Sequence, residues 1–240
     1  RVQVCNLYGD ISVGRPVHPD FDDTVHVSSR PVQPDPYEPI IIGQDFGRTP
    51  SSVFIQVIRG RVQVLAELFA VNMGAATYAE DVLLPFIQKK FPCHRPGWKI
   101  YGDPRGEDLT QADENSPFIM FRNAGLPVMP APSNDPVTRI AAVDQYLRKM
   151  LGGQPAFIMD PSCKLLKSGF MGRYRYRRLQ TSVERYEDRP EKNTYSHPQD
   201  ALQYAILGAG GGQAILMQAG MPAPRVVRPT FDPFKLGARR

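Results

Sequence analysis

Short apolar runs that end at polar or acidic residues recur along the middle of the chain. Residues 40–44 form such a run and predict a buried strand. Residues 52–59 and 61–70 predict two more strands, and Gly60 between them predicts a hairpin turn. Residues 98–102 predict a fourth strand of the same kind. The pattern therefore indicates a sheet that begins with an antiparallel hairpin.

Helical periodicity occupies the intervals between these strands. Thr77 and Glu80 match a capping box and predict the start of a helix. Its expected apolar stripe consists of Val82, Leu83, Phe86 and Ile87.

A longer helix is predicted from Asn134 or Asp135 to Met150, with Gly152-Gly153 as its stop. Its inward positions are Ile140, Val143, Leu147 and Met150. The last predicted helix spans residues 196–208. Shorter helices at 116–124 and 162–168, and strand-like runs at 126–129 and 156–159, complete the pattern.

This order of elements predicts an α/β fold. Its mixed central sheet should have three antiparallel strands followed by parallel strands, with helices on its faces. The strands at 40–44 and 98–102 are expected side by side at the centre. Asp45 and Asp103, which follow them, would then end together, and the helix that carries Asp200 would pack across the same edge.

Proline is enriched, with 24 residues in 240, about twice the usual share. Its spacing before residue 40 predicts an ordered approach segment or linker over 1–39 without regular helix or strand. Residues 40–212 are expected to form the folded domain. Residues 213–240 form a basic, proline-rich tail, either a docking segment or a disordered one.

Composition narrows the class of protein. The net charge of +5 favours an anionic partner such as nucleic acid, although a merely basic soluble protein is an equal alternative. Cys5, Cys93 and Cys163 are too widely spaced for a zinc ribbon and fit a reducing cytosol. No apolar run approaches the roughly 20 residues of a membrane span, so no membrane partner is expected. The chain lacks a phosphate-binding loop and starts in mid-pattern, as a piece of a longer protein would.

The candidate metal-binding and catalytic residues are Asp45, Asp103 and Asp200. Carboxylates from neighbouring strand ends and a helix can hold two Mg²⁺ or Mn²⁺ ions over a phosphodiester. His197 lies three residues before Asp200, so the two side chains share one helix face. Taken singly, each aspartate is an ordinary turn or cap residue. Together they predict a metal site, and bound cations would relieve their mutual repulsion.

Residues 15–215 resemble the C-terminal nuclease domain of a tailed-bacteriophage terminase large subunit, a member of the RNase H-like superfamily. Four stretches carry the resemblance, namely residues 14–21, 43–50, 101–104 and 192–204. The last is the most specific, because it joins a lysine to a His-x-x-Asp-Ala-Leu helix.

The resemblance implies metal ligation by Asp45, Asp103 and Asp200, with His197 as a further ligand or proton-transfer group. It implies a metal-dependent endonuclease that cuts double-stranded concatemeric viral DNA during packaging, with low sequence specificity and two-metal-ion hydrolysis. The implied partners are double-stranded DNA, an ATPase domain of the same polypeptide, the portal protein and the small terminase subunit. The implied location is the host cell cytoplasm rather than the virion.

Residues 160–192 contain nine Lys or Arg against five Asp or Glu, with tyrosines interleaved. This excess predicts non-specific contacts with the DNA backbone, although a solvated face is the alternative. The candidate DNA-binding residues are Arg173, Arg175, Arg177, Arg178 and Lys192.

Further acids at Glu67, Glu80, Glu107 and Asp108 are candidates for an extra ligand, although capping explains Glu80 better. Two other functions stay open from the sequence. One is another RNase H-like nuclease, such as a resolvase or transposase core. The other is a non-catalytic DNA-binding or docking module.

Overall fold

A six-stranded mixed sheet forms the centre of the computed structural model, which describes residues 14–92, 94, 96–107, 116–179 and 185–212. The strands are β1 (Gly14–Pro16), β2 (Ile40–Asp45), β3 (Ser51–Ile58), β4 (Arg61–Phe69), β5 (Trp98–Gly102), β6 (Val128–Pro130), β7 (Met150–Leu151), β8 (Gln154–Pro155), β9 (Phe157–Met159), β10 (Arg175–Arg178) and β11 (Tyr186–Pro190). The α-helices are α1 (Asp23–His26), α2 (Ala75–Thr77), α3 (Leu84–Lys90), α4 (Pro117–Asn123), α5 (Pro136–Arg148), α6 (Lys164–Ser168) and α7 (Ser196–Gly208). A π-helical turn at Tyr78–Leu83 joins α2 to α3.

The central sheet has the strand order β6-β5-β2-β3-β4-β9. Strands β2, β3 and β4 are antiparallel neighbours. The β3–β4 turn consists of Arg59 and Gly60, both with positive φ, as a two-residue hairpin requires. Strand β5 lies parallel to β2, with Ile42 opposite Ile100 and Gln44 opposite Gly102. The predicted α/β fold class and the central pairing of these two strands are confirmed.

Helices cover both faces of this sheet. Successive strand residues point to opposite sides, so each face contributes side chains to its own core cluster. Ile41 and Val53 pack with Ala201 of α7 and Val143 of α5 in one core cluster. The other face is a second cluster, in which Ile42 packs with residues of α3, α4 and the π-helical turn. Strand β2 is buried along its whole length. Its near-continuous apolar run is therefore the consequence of cover on both sides.

The capping box predicted at Thr77 and Glu80 is wrong. The helix begins at Ala75, two residues earlier, and Thr77 makes no capping hydrogen bond. The Tyr78 N–H already donates to the Gly74 carbonyl at 2.9 Å, so Thr77 lies within the first turn. Glu80 is exposed. The expected apolar stripe is confirmed, since its members pack in the second cluster.

The predicted end of the long helix is also wrong. Helix α5 ends at Arg148, and Met150 begins a two-stranded hairpin formed by β7 and β8. Gly152 and Gly153 form its turn with φ of 58° and 75°. Two consecutive left-handed residues suit a hairpin turn better than a helix stop. Met150 is therefore 55% exposed rather than inward.

The expected absence of regular structure over residues 1–39 is wrong for its described part. Strand β1 pairs with β10, and helix α1 lies on the sheet beside β9. Val17 and Phe21 are buried, and His18 is hydrogen-bonded to Asp144 of α5 at 2.6 Å. The prolines thus limit the length of these elements but do not prevent them.

Both ends of the chain lie partly outside the described residues. Residues 1–13 and the tail over 213–240 belong to that part, so the division into three regions stays a prediction. Within the part that the structure describes, no helix is long and apolar enough to cross a membrane.

Candidate functional site

Asp45, the last residue of β2, faces α7 from the edge of the sheet. Side chains along a strand point alternately to the two faces of the sheet, so the Asp45 side chain lies on the same face as Ile41 and Gly43. The Asp45 Oδ2 atom is buried and lies 2.8 Å from Nδ1 of His197 on α7. This hydrogen bond joins the end of the strand to the first turn of the helix. The second ring nitrogen of His197, Nε2, takes no part in this hydrogen bond.

A buried polar network holds the backbone of Asp45 from the opposite face. The Gln44 amide donates to the Asp45 carbonyl at 2.8 Å, and the Ser52 hydroxyl donates to the Gln44 Oε1 at 2.6 Å. The Tyr78 hydroxyl lies 2.8 Å from the Ser52 hydroxyl. Buried polar groups that are all hydrogen-bonded make a site rigid. The end of β2 is consequently held in one position.

Asp200 lies one turn beyond His197 on the same side of α7, and it is buried between two cations. Its Oδ1 accepts from the Arg139 guanidinium of α5 at 3.2 Å. Its Oδ2 accepts from the ammonium of Lys192, in the segment before the helix. Both carboxylate oxygens are therefore charge-paired.

Neither Arg139 nor the pairing of Lys192 with Asp200 was expected from the sequence. The Arg139 side chain is 7% exposed, and its guanidinium lies over the Tyr204 ring at 4.7 Å. One signal was present in the sequence: Arg139 shares its helix face with Ala142 and Val143, at spacings of three and four residues. A basic residue on an apolar face indicates a buried acidic partner.

Asp103 follows β5 directly beside Asp45. Its N–H donates to the Gln44 carbonyl at 3.3 Å, so the parallel pairing continues to this residue. Its Oδ1 accepts from the Arg105 N–H at 3.0 Å. Burial is the largest influence on the pKa of Arg139, which it lowers, and on the pKa of Tyr204, which it raises. The negative charge of Asp103 is a smaller influence that raises both, so Asp103 acts electrostatically on the same group of residues.

The pKa of Asp45 reflects both its burial and the other charges of the site. Burial is the largest cause that raises the pKa of Asp45, and the negative charge of Asp200 raises it further. The His197 hydrogen bond and the charge of Lys192 act in the opposite direction. The net pKa lies above its ordinary value. The site thus favours added positive charge, either a proton or a cation.

The donor chemistry of this site fits a hard divalent cation. Carboxylate oxygens are the ligands that Mg²⁺ prefers, and it is often held by one or two carboxylates together with substrate phosphates. Within the described ranges, no group of three or more His, Cys, Asp and Glu side chains is arranged to hold a metal ion. The fit thus rests on Asp45 and Asp200, with Asp103 next to them. Ligation by Asp45, Asp103, Asp200 and His197 stays a prediction.

Three of the candidate DNA-binding residues, Arg175, Arg177 and Arg178, lie on β10 of a separate sheet with β1 and β11. Arg173 lies just before β10, and Lys192 lies between β11 and α7. Arg175 and Arg177 both pair with Glu191, at 3.4 and 3.0 Å. Arg173 and Arg178 are exposed. Part of the positive excess is thus neutralised locally, and DNA contact by this surface stays a prediction.

Among the further acids, Glu67 is engaged by backbone groups, and ligation by Glu80, Glu107 or Asp108 stays a prediction. Glu67 accepts hydrogen bonds from the Leu165 and Leu166 N–H groups, both at 2.8 Å, at the start of α6. Glu80 and Glu107 are exposed. Asp108 lies outside the described residues.

Comparison with known proteins finds the same architecture in solved structures of large terminases. A large terminase from a thermophilic bacteriophage is 23% identical, with a TM-score of 0.61 over 81% of this chain and 45% of that one. This large terminase has also been solved with ADP and with ATP-γ-S. The P22 large terminase nuclease domain is 12% identical, with a TM-score of 0.57 over 82% of this chain and 93% of that domain.

The large terminase nuclease of a second thermophilic phage, G20c, solved with bound cobalt, is 13% identical, with a TM-score of 0.51 over 80% of this chain and 96% of that one. It has also been solved with bound magnesium. No family model and no curated protein matches this chain. The chain therefore has the fold of large terminase nuclease domains, and it spans less than half the length of the large terminase solved with nucleotides.

Proposed function

We propose that this chain is a metal-dependent endonuclease that cuts double-stranded concatemeric viral DNA during genome packaging. The observation that carries the proposal is the placement of Asp45 and Asp200. Both are buried, both face one end of the central sheet, and the charge of one raises the pKa of the other. Acidic side chains are rarely buried without a cationic partner. Arg139 and Lys192 are the partners of Asp200, but among the described residues Asp45 contacts the His197 ring in place of a permanent cation. In a fold shared with terminase nucleases, the missing partner of Asp45 is most simply a divalent ion.

In this proposal Asp45, Asp103 and Asp200 hold Mg²⁺ or Mn²⁺, with two ions present when DNA is bound. When bound, the ions neutralise charge on the scissile phosphate and lower the pKa of water for in-line hydrolysis. His197 keeps the Asp45 carboxylate oriented through Nδ1 and offers Nε2 for ligation or proton transfer. The Gln44 and Ser52 network prevents the end of β2 from moving.

The DNA is held by its phosphates. Arg173, Arg175, Arg177, Arg178 and Lys192 supply the positive charge for these contacts. Phosphate contacts position a duplex but carry no sequence information. Low sequence specificity follows from this kind of binding.

The remaining partners are proposed from the resemblance to terminase large subunits. We propose that an ATPase domain belongs to the same polypeptide, as the ADP and ATP-γ-S complexes of the longer large terminase suggest. We also propose the portal protein and the small terminase subunit as partners in the host cell cytoplasm, with residues 213–240 as a candidate docking segment.

Plasmid cleavage tests the proposal. Purified protein is incubated with supercoiled plasmid and Mn²⁺ or Mg²⁺, and nicked and linear products are measured. Cleavage should require the metal and fall to background in Asp45→Asn and in Asp200→Asn. Asp81→Asn is the matched control, because Asp81 is an exposed acid on the opposite face of the sheet.

Full activity in Asp45→Asn would contradict the proposal. A parent protein that binds duplex DNA but never cleaves it would favour a docking module instead. A strong preference for branched over linear duplex substrates would favour a resolvase-like enzyme.

A further inference from the structure

The two oxygens of the Asp200 carboxylate contact two cations in very different surroundings. Oδ1 is paired with Arg139, whose side chain is 7% exposed, and Oδ2 is paired with Lys192, whose side chain is 68% exposed. Removing one partner of a buried ion pair is costly, because it leaves an unpaired charge in the interior. Lys192 reaches solvent, which hydrates its ammonium when the contact with Asp200 breaks, so this pair costs less to separate. The two contacts therefore differ in how easily they can be exchanged.

Arg139 is held in place by more than Asp200. Its guanidinium lies 4.7 Å from the centre of the Tyr204 ring, and Tyr204 lies four residues after Asp200 on α7. The Tyr204 hydroxyl in turn donates to Asn134 Oδ1 at 2.9 Å, just before α5. Burial is the largest influence on the pKa of Arg139 and lowers it, but the charge of Asp200 together with smaller contributions from neighbouring acidic groups raises the net pKa above its ordinary value. Arg139 is thus a permanent charge, packed between α5 and α7.

Among the described residues, Lys192 has no contact comparable to the packing of Arg139 on Tyr204. Its ammonium is a point charge at the end of a flexible stem, and its neighbour Glu191 is engaged by Arg175 and Arg177. The ammonium can leave Asp200 for solvent without exposing any core. Lys192 is the cation that an entering ion can displace.

We propose that Arg139 is a positioning residue that fixes Asp200 through Oδ1 and reserves Oδ2 for an exchangeable cation. Lys192 occupies Oδ2 in the metal-free protein, and a divalent ion replaces it. Asp200 then serves as a one-oxygen ligand, and Arg139 never contacts the ion. This inference rests on the proposed function and adds to it which oxygen binds and which cation leaves.

Mn²⁺ binding without DNA tests this arrangement directly. The electron paramagnetic resonance signal of free Mn²⁺ is titrated with metal-free protein at neutral pH, which gives Kd without any need for cleavage. Lys192→Met should bind Mn²⁺ at least threefold more tightly, because no ammonium competes for Oδ2. Arg139→Met should bind at least tenfold more weakly, because the buried carboxylate of Asp200 is then no longer held in one orientation. Lys167→Met should bind as the parent does, since Lys167 pairs with Asp23 in an exposed ion pair elsewhere.

Arg139→Lys keeps the charge but loses the planar group that stacks on Tyr204. It should recover part of the Mn²⁺ affinity lost in Arg139→Met, and it keeps the test valid if Arg139→Met does not fold. Weaker binding by Lys192→Met than by the parent would overturn the exchange. Parent-like binding by Arg139→Lys and Arg139→Met alike would overturn the positioning role. A parent protein that binds no Mn²⁺ would instead contradict the proposed function itself.

Discussion

Gly43 of β2 lies directly against Ala201 of α7. A Cβ atom at Gly43 would stand 1.8 Å from the Ala201 carbonyl oxygen and 2.7 Å from the Ala205 nitrogen. The helix therefore rests on the bare backbone of the strand. This contact sets the distance between Asp45, two residues after Gly43, and the His197 and Asp200 side chains of the helix.

Gly43→Ala should destabilise the protein and impair the site together. The nearest atoms to the added methyl group would be backbone atoms of α7, which cannot rotate aside, so α7 must move away from β2. Forced overpacking of this kind costs about 1–3 kcal/mol. Urea denaturation should show that loss, and plasmid cleavage should fall well below the parent in conditions where the variant is still folded.

Gly74→Ala is the matched control. Gly74 precedes α2 with an ordinary negative φ, and a Cβ there would meet no atom within 4 Å. Its stability and cleavage should stay close to those of the parent. Equal effects of the two substitutions would show that the Gly43 contact has no special role.

Asp45→Asn should stabilise the metal-free protein at neutral pH. Because the pKa of Asp45 is raised in the folded state, the native protein binds this proton more tightly than the unfolded chain does. Ionisation of Asp45 therefore costs stability as the pH rises from its ordinary value of 3.8 through the folded pKa. The variant should melt at a higher temperature than the parent at pH 7, and the difference should shrink as the pH falls towards 4.

Thermal unfolding in the presence of a chelator, across that pH range, measures this effect. Added Mn²⁺ should reverse the order of the two proteins by stabilising only the parent, since a ligand that binds the native state raises its stability. A metal-free Asp45→Asn protein less stable than the parent at pH 7 would argue against a costly buried charge.

Ser52→Ala should weaken both stability and cleavage without touching the acids. The substitution leaves Gln44 Oε1 and the Tyr78 hydroxyl without their shared partner in a buried place. An unsatisfied buried group costs about 1–3 kcal/mol. Denaturant unfolding should show that cost, and the cleavage rate should fall because Gln44 no longer holds the Asp45 carbonyl firmly. Tyr78→Phe keeps the bond between Ser52 and Gln44, so its cleavage rate should fall less.

Glu67→Ala should destabilise the protein but leave Mn²⁺ affinity unchanged. Its carboxylate oxygens accept from two N–H groups at the start of α6, so removal leaves both without a partner. The expected loss is about 1–3 kcal/mol in urea denaturation. The exposed Glu80→Ala should show almost none. A marked change in Mn²⁺ affinity would instead place Glu67 at the metal site.

Glu191→Gln should strengthen DNA binding. Glu191 neutralises Arg175 and Arg177, and its loss frees both guanidinium groups for phosphates. Arg178→Gln should weaken binding equally for all sequences and reduce the slope of log K against log salt by about one. Fluorescence anisotropy with labelled duplexes at several salt concentrations measures both. Unchanged affinity in both variants would show that DNA does not bind this surface.

Local pattern predicted a large part of the fold. Helix α7 spans the residues expected from its periodicity, and β5 matches its apolar run. The capping box at Thr77 failed because its residue pattern also fits the interior of a first helical turn. The glycine pair after α5 failed as a helix stop because the same dipeptide suits a hairpin. Short motifs of this kind have more than one structural solution.

The sequence by itself determined which segments become strands and helices, and which acids end them, because periodicity and turn residues act over a few positions. The tertiary structure alone decided that Asp200 lies between Arg139 and Lys192, and that Gly43 supports α7. Those contacts join residues far apart in sequence, and they depend on how the faces of β2, α5 and α7 pack. A charge on one helix gives no local sign of its partner on another. The sequence therefore indicated which acidic residues could form the site, but the pairing of their charges with Arg139 and Lys192 depended on how the helices and strands pack.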